Sequence, residues 1–239
     1  MKRFSLIFLC LWSIASNAQD IQLHYDLRHS VDPKLNRRNF PIICFQYFKN
    51  VDTVSTGSFL FKAQSFLNGD QDNMGEVFVQ VSQTIKFWKP KVYLALQYSG
   101  GLGVASPSFG YHIGNRFGIG VSYPFVWKKA FFNAAASYRF NPVRTATHDA
   151  QATFYFGRGL LNYRIFIEGS FTAFTDNRNP GISNPTSKGK KFAFFGDPQI
   201  WLKVKKGFSV GSRISIYYNL LGSPFAFQAY PTIGSKYNF

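Results

Sequence analysis

From about residue 20 onward, apolar and polar residues alternate along the chain with a period of two. Ile21, Leu23, Tyr25 and Leu27 oppose Gln22, His24, Asp26 and Arg28. Val77, Val79, Val81, Ile85 and Phe87 oppose Glu76, Gln80, Ser82, Thr84 and Lys86. Leu161, Tyr163, Ile165, Ile167 and Phe171 oppose Asn162, Arg164, Phe166, Glu168 and Ser170, and Phe208, Val210, Ile214, Ile216 and Tyr218 oppose Ser209, Gly211, Arg213, Ser215 and Tyr217. Successive side chains of a strand point to opposite faces, so each segment carries one apolar and one polar face. The helical spacing of 3.6 is hard to find after residue 20. Twelve segments follow: 20–28, 38–49, 53–67, 75–88, 91–103, 109–126, 130–140, 148–156, 160–174, 191–204, 207–218 and 225–238. The least regular is 109–126, with Gly110, Gly114, Gly118 and Gly120.

The links between segments alternate in length. Asn50–Asp52, Lys89-Pro90, Trp127–Lys129, Gly157–Gly159 and Lys205-Lys206 are tight. His29–Arg37, Asn68–Met74, Val104–Ser108, Asn141–Thr147, Thr175–Lys190 and Asn219–Pro224 are longer. Turns at one end and loops at the other mark an all-β, antiparallel, up-and-down transmembrane barrel of about 12 strands. A soluble sandwich also alternates. The segments here, however, run to about 10–14 residues, against about 5–6 for a soluble strand and about 9–11 for a tilted membrane strand. Aromatic residues near segment ends fit interfacial girdles: Tyr25, Phe48, Phe87, Trp88, Tyr98, Phe125, Trp127, Phe140, Phe156, Phe171, Phe174 and Tyr237. Pro198 and Pro231 fall inside predicted strands and require local bulges or different strand limits.

The start of the chain fits a secretory signal peptide over residues 1–18, ahead of a barrel over 19–239. Met1-Lys2-Arg3 is a positive start, Phe4–Ile14 an apolar stretch, and Ser16-Asn17-Ala18 a small-x-small cleavage site. Loss of Lys2 and Arg3 lowers the net charge from +16 to +14 and leaves Cys44 as the lone cysteine. A mature chain with one cysteine has no internal disulfide and no cysteine-built zinc site. Aromatic residues make up 19% of the chain, which excludes disorder, and the mean hydropathy of −0.11 excludes helical membrane spans. The basic residues spread over the turns (Lys49, Lys89, Lys91, Lys128, Lys129, Arg158, Lys203, Lys205, Lys206) and the longest loop (Arg178, Lys188, Lys190, Lys191). That distribution suits anionic lipid and lipopolysaccharide at the two membrane rims and does not gather into a nucleic-acid groove.

The segment Gly75-Glu76-Val77-Phe78-Val79-Gln80-Val81-Ser82, the closing Gly234-Ser235-Lys236-Tyr237-Asn238-Phe239 and the twelve-strand plan resemble the Tsx-like nucleoside-channel superfamily. They are most similar to its outer-membrane branch in Bacteroidetes-type bacteria (DUF5020-like). The resemblance implies a small monomeric barrel with a narrow pore in a Gram-negative outer membrane, with nucleosides as candidate solutes; it carries over no individual site residue. An alternating last strand that ends in Phe239 also resembles the assembly signal of outer-membrane barrels, which implies the barrel-assembly machinery as a partner.

Projecting the polar face inward gives a candidate pore lining of His24, Asp26, Arg28, Lys62, Glu76, Arg139, Tyr155, Arg164, Phe166, Glu168, Phe195, Asp197, Trp201, Arg213 and Tyr230. Polar and aromatic groups together bind a small polar solute weakly, as conduction requires. The same residues can also fill the interior as a satisfied plug. A barrel of 8 strands is filled and one of 16 or more is open, so twelve leaves both readings standing. The first is a passive channel for small polar solutes; the second is a non-conducting structural or accessory barrel in a larger outer-membrane complex with protein partners. Catalysis fits less well. His148-Asp149 are adjacent and would point oppositely on a strand, His24 and Asp26 lack the context of a hydrolase site, and no cofactor or metal motif is present.

Overall fold

A computed structural model describes residues 19–49, 57–70, 73–86, 88–89, 91–105, 109–143, 146–177, 189–221 and 226–239. The predicted signal peptide, the Asn50–Asp52 turn and the loop cations Arg178 and Lys188 lie outside the described residues. The chain forms β1 (Gln19–Asp26), a short helix α1 (Arg28–Val31), β2 (Phe40–Lys49), β3 (Phe59–Phe66), β4 (Glu76–Ile85), β5 (Tyr93–Ala105) and β6 (Phe109–Trp127). It continues through β7 (Ala130–Asn141), β8 (Thr147–Leu160), β9 (Ile165–Asn177), β10 (Lys190–Gly196), β11 (Gln199–Lys205), β12 (Phe208–Tyr218) and β13 (Phe227–Asn238). Every neighbour pairing is antiparallel, and β13 closes on β1 with Asp20 opposite Asn238 and Asp26 opposite Thr232. Closure satisfies every strand edge, which a sheet in hydrocarbon requires.

Thirteen strands make a twelve-stranded barrel because β10 and β11 are one strand interrupted at Asp197-Pro198. Both halves lie between β9 and β12, in the same register on either side of the break. Pro198 has no N–H to give to the ladder, so the strand opens there. The gap is closed by other groups. Ser170 N and Oγ donate to Asp197 Oδ1 at 2.9 and 2.7 Å, Asp197 N donates to Ser170 O at 3.0 Å, and Ile214 N donates to Pro198 O at 2.9 Å. Gly169 makes the approach possible. Its φ is +153°, and a Cβ there would stand 2.8 Å from both Asp197 O and Pro198 Cα. The second proline behaves differently. Pro231 stays in line in β13 opposite Ile214, one residue beyond the last pair with β1, and its carbonyl accepts from Leu27 N at 3.0 Å.

The burial pattern is that of a soluble protein turned inside out. On β1, Asp20, Gln22, His24 and Asp26 are 7, 1, 1 and 0% exposed, while Ile21, Leu23 and Tyr25 are 43, 53 and 48% exposed. Leu96, Phe117, Ile119, Val121, Ile200, Val210, Ile214 and Ile233 continue the exposed apolar wall around the barrel. An unbroken apolar outer face is stable only against lipid. Outer rings stack across neighbouring strands, Phe125–Phe132–Phe154 at 5.2 and 5.6 Å and Phe156–Phe171–Phe194 at 5.5 and 6.0 Å. Two of the expected girdle rings face the other way: Phe48 lines an interior cavity, and Phe174 is buried beneath Arg139.

One predicted turn is displaced. Gly157 and Gly159 lie within β8, and the chain reverses at Leu161–Arg164, where Leu161, Asn162 and Tyr163 take φ of 49, 53 and 62°. Gly159 serves the turn: a Cβ there would overlap the Tyr163 ring, which folds back against the end of β8. The period-two pattern therefore runs past the real strand end, and Arg164 is an exposed turn residue instead of part of the inner wall.

Candidate functional site

The inner wall carries three linked groups of side chains. At mid-height, Lys62 reaches from β3 to the opposite wall, where the interrupted strand turns Asp197 inward, and the two pair at 2.8 Å. His24 bonds Thr232 Oγ1 and Gln22 Oε1, both at 2.9 Å, and Gln22 donates to Asp20 at 2.8 Å. The His24 ring sits 5.5 Å from Trp201, whose Nε1 donates to Gln199 at 3.1 Å. Lys236 stands over the Trp201 ring at 4.9 Å and donates to Glu168 from across the β9–β13 gap. Arg213, beside Gln199 and opposite Thr232, completes this layer.

At the loop end, Arg28 makes a two-pronged contact with Asp26 at 2.8 and 3.1 Å and lies over the rings of Phe40 and Tyr230. Tyr230 accepts from Gln228 at 2.9 Å and Asn36 at 3.2 Å, and Phe195 packs on Tyr217, which packs on Tyr230. Across the lumen, Arg139 donates to Thr175 O at 2.8 Å and lies 4.1 Å over the Phe174 ring. Arg116 pairs with Asp176 at 2.9 Å and approaches the same ring at 5.7 Å. Asp149 accepts from Lys190 at 2.7 Å and Thr147 at 2.9 Å, and Glu76 accepts from Tyr111.

On the turn side the interior is not filled. A cavity of about 500 Å³ is bounded by Lys62, Asp197, Gln80, Tyr155, Phe166 and Glu168 within the barrel and by Lys129 and Tyr163 at the turn rim. Carboxamides, hydroxyls and rings dominate this lining. Such a surface offers both donors and acceptors to a small polar solute and binds it without a single dominant contact.

Of the predicted lining, His24, Asp26, Lys62, Arg139, Asp197, Trp201, Arg213 and Tyr230 are buried in the lumen, and Arg28, Glu76, Tyr155, Phe166, Glu168 and Phe195 are half-buried there. Arg164 is the exception. Several lumen residues escape the alternation argument. Phe40, Ile42 and Cys44 form an apolar inner stripe on β2, which is apolar on both faces and so hides its own phase. Arg116 and Tyr111 both turn inward although they differ by an odd number of positions. The register shifts between Gly100 and Leu102, opposite Gly114 at φ +63°, and the bulge resets the phase of β6. His148 is exposed on the outer face beside Tyr138 and Phe140, while its neighbour Asp149 is buried inside. Among the described residues, no three His, Cys, Asp or Glu side chains are grouped to hold a metal ion.

A closed antiparallel barrel with an apolar outer wall and a polar lumen defines an outer-membrane-type β-barrel, here with twelve strands. The chain belongs to the family described as a domain of unknown function (DUF5020), which matches residues 18–239. Among solved structures it is similar to the NanC porin, with 11% identity over 93% of this chain and 100% of that one and a TM-score of 0.55. It is also similar to LpxR from Salmonella typhimurium (9% identity, 93% and 100% coverage, TM-score 0.46) and to Omp33 from Acinetobacter baumannii (11%, 93% and 98%, 0.40). No curated protein matches the sequence.

Proposed function

We propose that this chain is a non-catalytic outer-membrane barrel that lets small polar solutes pass through a narrow, cross-braced lumen. The cavity of about 500 Å³ that reaches the turn rim carries this reading, because its carboxamides, hydroxyls and rings offer a small solute both polar and apolar contacts. The Lys62–Asp197 pair crosses the lumen and lines this cavity. Likeness in fold to the NanC porin and resemblance to the Tsx-like channels support passage, and the latter makes nucleosides the first solutes to try. Lipopolysaccharide and anionic lipid at the rims, and the barrel-assembly machinery at Phe239, belong to the same proposal.

The cross-lumen contacts favour a second reading, a closed accessory barrel that supports a larger outer-membrane assembly. Planar-bilayer recording separates the two. The channel reading expects discrete small conductance steps that shrink when a nucleoside is added. Bilayers that remain silent with heat-modifiable, folded protein would leave the accessory reading in its place.

A further inference from the structure

Three carboxamides that line the turn-side cavity, Gln97, Asn133 and Gln199, are held by their oxygens. Trp201 Nε1 donates to Gln199 Oε1 at 3.1 Å, Gln151 Nε2 to Gln97 Oε1 at 3.0 Å, and Ser122 Oγ to Asn133 Oδ1 at 2.6 Å. An indole N–H only donates, so the Gln199 carboxamide has a single orientation. Among the described residues the three NH2 groups have no acceptor, and Gln46 and Ser82 of the same lining make no side-chain hydrogen bond. The unpartnered side-chain atoms that are sealed off lie elsewhere, on Asn68, Arg139 and Arg213. The three NH2 groups therefore remain within reach of a solute. The charges beside them are committed. Lys62 pairs with Asp197 and Lys236 with Glu168, and in the surrounding layer three cations (Lys62, Lys236, Arg213) match three carboxylates (Asp20, Glu168, Asp197). Lys129 and Arg158, the other charged residues of the lining, are exposed at the turn rim. A charged solute would give up its hydration here for no free counter-charge.

We propose that the cavity is a saccharide site, whose ligand is an uncharged mono- or disaccharide held by the NH2 groups of Gln97, Asn133 and Gln199. Free donors call for a ligand rich in acceptor oxygens, and the balanced charge calls for one without charge. Hydroxyls meet both demands. Each one rotates, so it accepts from a carboxamide nitrogen while it donates to Gln46 or Ser82. Phe48, Phe131 and Phe166 give the C–H side of a sugar ring an apolar face, and about 500 Å³ falls within the range of small-molecule sites. A nucleobase is served less well, because its own N–H edge would meet donors. This inference rests on the reading that solutes enter the cavity, and it names their class.

Saturation-transfer NMR on the barrel in lipid nanodiscs reads weak binding without depending on conduction. Maltose is the probe, and uridine and gluconate are the other arms. Maltose is expected to take up saturation from the protein, and more strongly than either of the others. Asn133→Asp and Gln97→Glu keep the oxygen that Ser122 and Gln151 reach but remove the NH2, and each should weaken maltose binding about tenfold. Asn162→Asp places the same acid at the exposed turn outside the cavity and should leave binding unchanged. Heat-modifiable mobility confirms that each variant is folded. No maltose signal from the wild type, or equal maltose binding in the wild type and both cavity variants, would overturn the site. Uridine or gluconate signals without a maltose signal would overturn the saccharide class and leave the entry of solutes standing. Maltose binding with silent bilayers would support the site and sink only the channel reading.

Discussion

Arginine in place of Ile119 is expected to destabilise the folded barrel by about 2–4 kcal/mol in lipid vesicles, read from urea unfolding. Ile119 lies mid-way along β6, paired with Leu96 on one side and Tyr138 on the other, and all three project from the outer wall. In a soluble protein an exposed isoleucine tolerates arginine at little cost, because water solvates the guanidinium. Here the exposed face is the one that meets hydrocarbon, so the charge loses its hydration. The penalty depends on depth. Leu161→Arg, at an exposed turn, should cost no more than about 1 kcal/mol. Near-neutral Ile119→Arg would mean that the outer wall faces water.

Lys62→Met is expected to cost about 3–5 kcal/mol, because it leaves the Asp197 carboxylate buried without its cation. Lys62→Met combined with Asp197→Leu should recover most of that loss, since a well-packed apolar pair of similar volume often replaces a buried ion pair at little cost. Urea unfolding of the two single variants and the double variant gives the coupling directly. Additive losses would mean that the bridge does not brace the lumen. The bridge depends on the interruption of the tenth strand. Pro198 opens the ladder, Gly169 admits the backbone of the break, and Ser170 fixes the carboxylate that Lys62 meets. Two residues that read as irregularities in a strand thus place the acid of the candidate site.

The barrel was legible because its physics is local. Each strand must turn one face to lipid, so alternation survives in the sequence wherever a strand is regular, as on β1, β4, β12 and β13. It fails in three identifiable places. On β2 the lumen itself is apolar at Phe40, Ile42 and Cys44, so both faces look alike. On β6 the bulge at Gly114 resets the phase, which hid Arg116 and its pair with Asp176. Near the end of β8, Gly157 and Gly159, the latter clearing space for Tyr163, imitate a turn, and Arg164 then falls on the wrong surface. The candidate site was legible as a set of inward residues but not as a set of contacts. Partners such as Lys62 and Asp197 sit 135 positions apart and meet only when the barrel closes. The open volume on the turn side depends on which inner side chains are short, a property of twelve strands together.

An inside-out barrel with a polar lumen turns alternate residues of each strand to lipid, which a cysteine scan along residues 117–123 of β6 reads in a Cys44→Ser background, with bimane labels quenched by nitroxide lipid. Positions 117, 119, 121 and 123, where Phe117, Ile119, Val121 and Tyr123 are exposed, should be strongly quenched. Positions 118, 120 and 122, on the side of the buried Ser122, should be protected from lipid. Quenching that is uniform along the strand, or absent at all seven positions, would contradict the account.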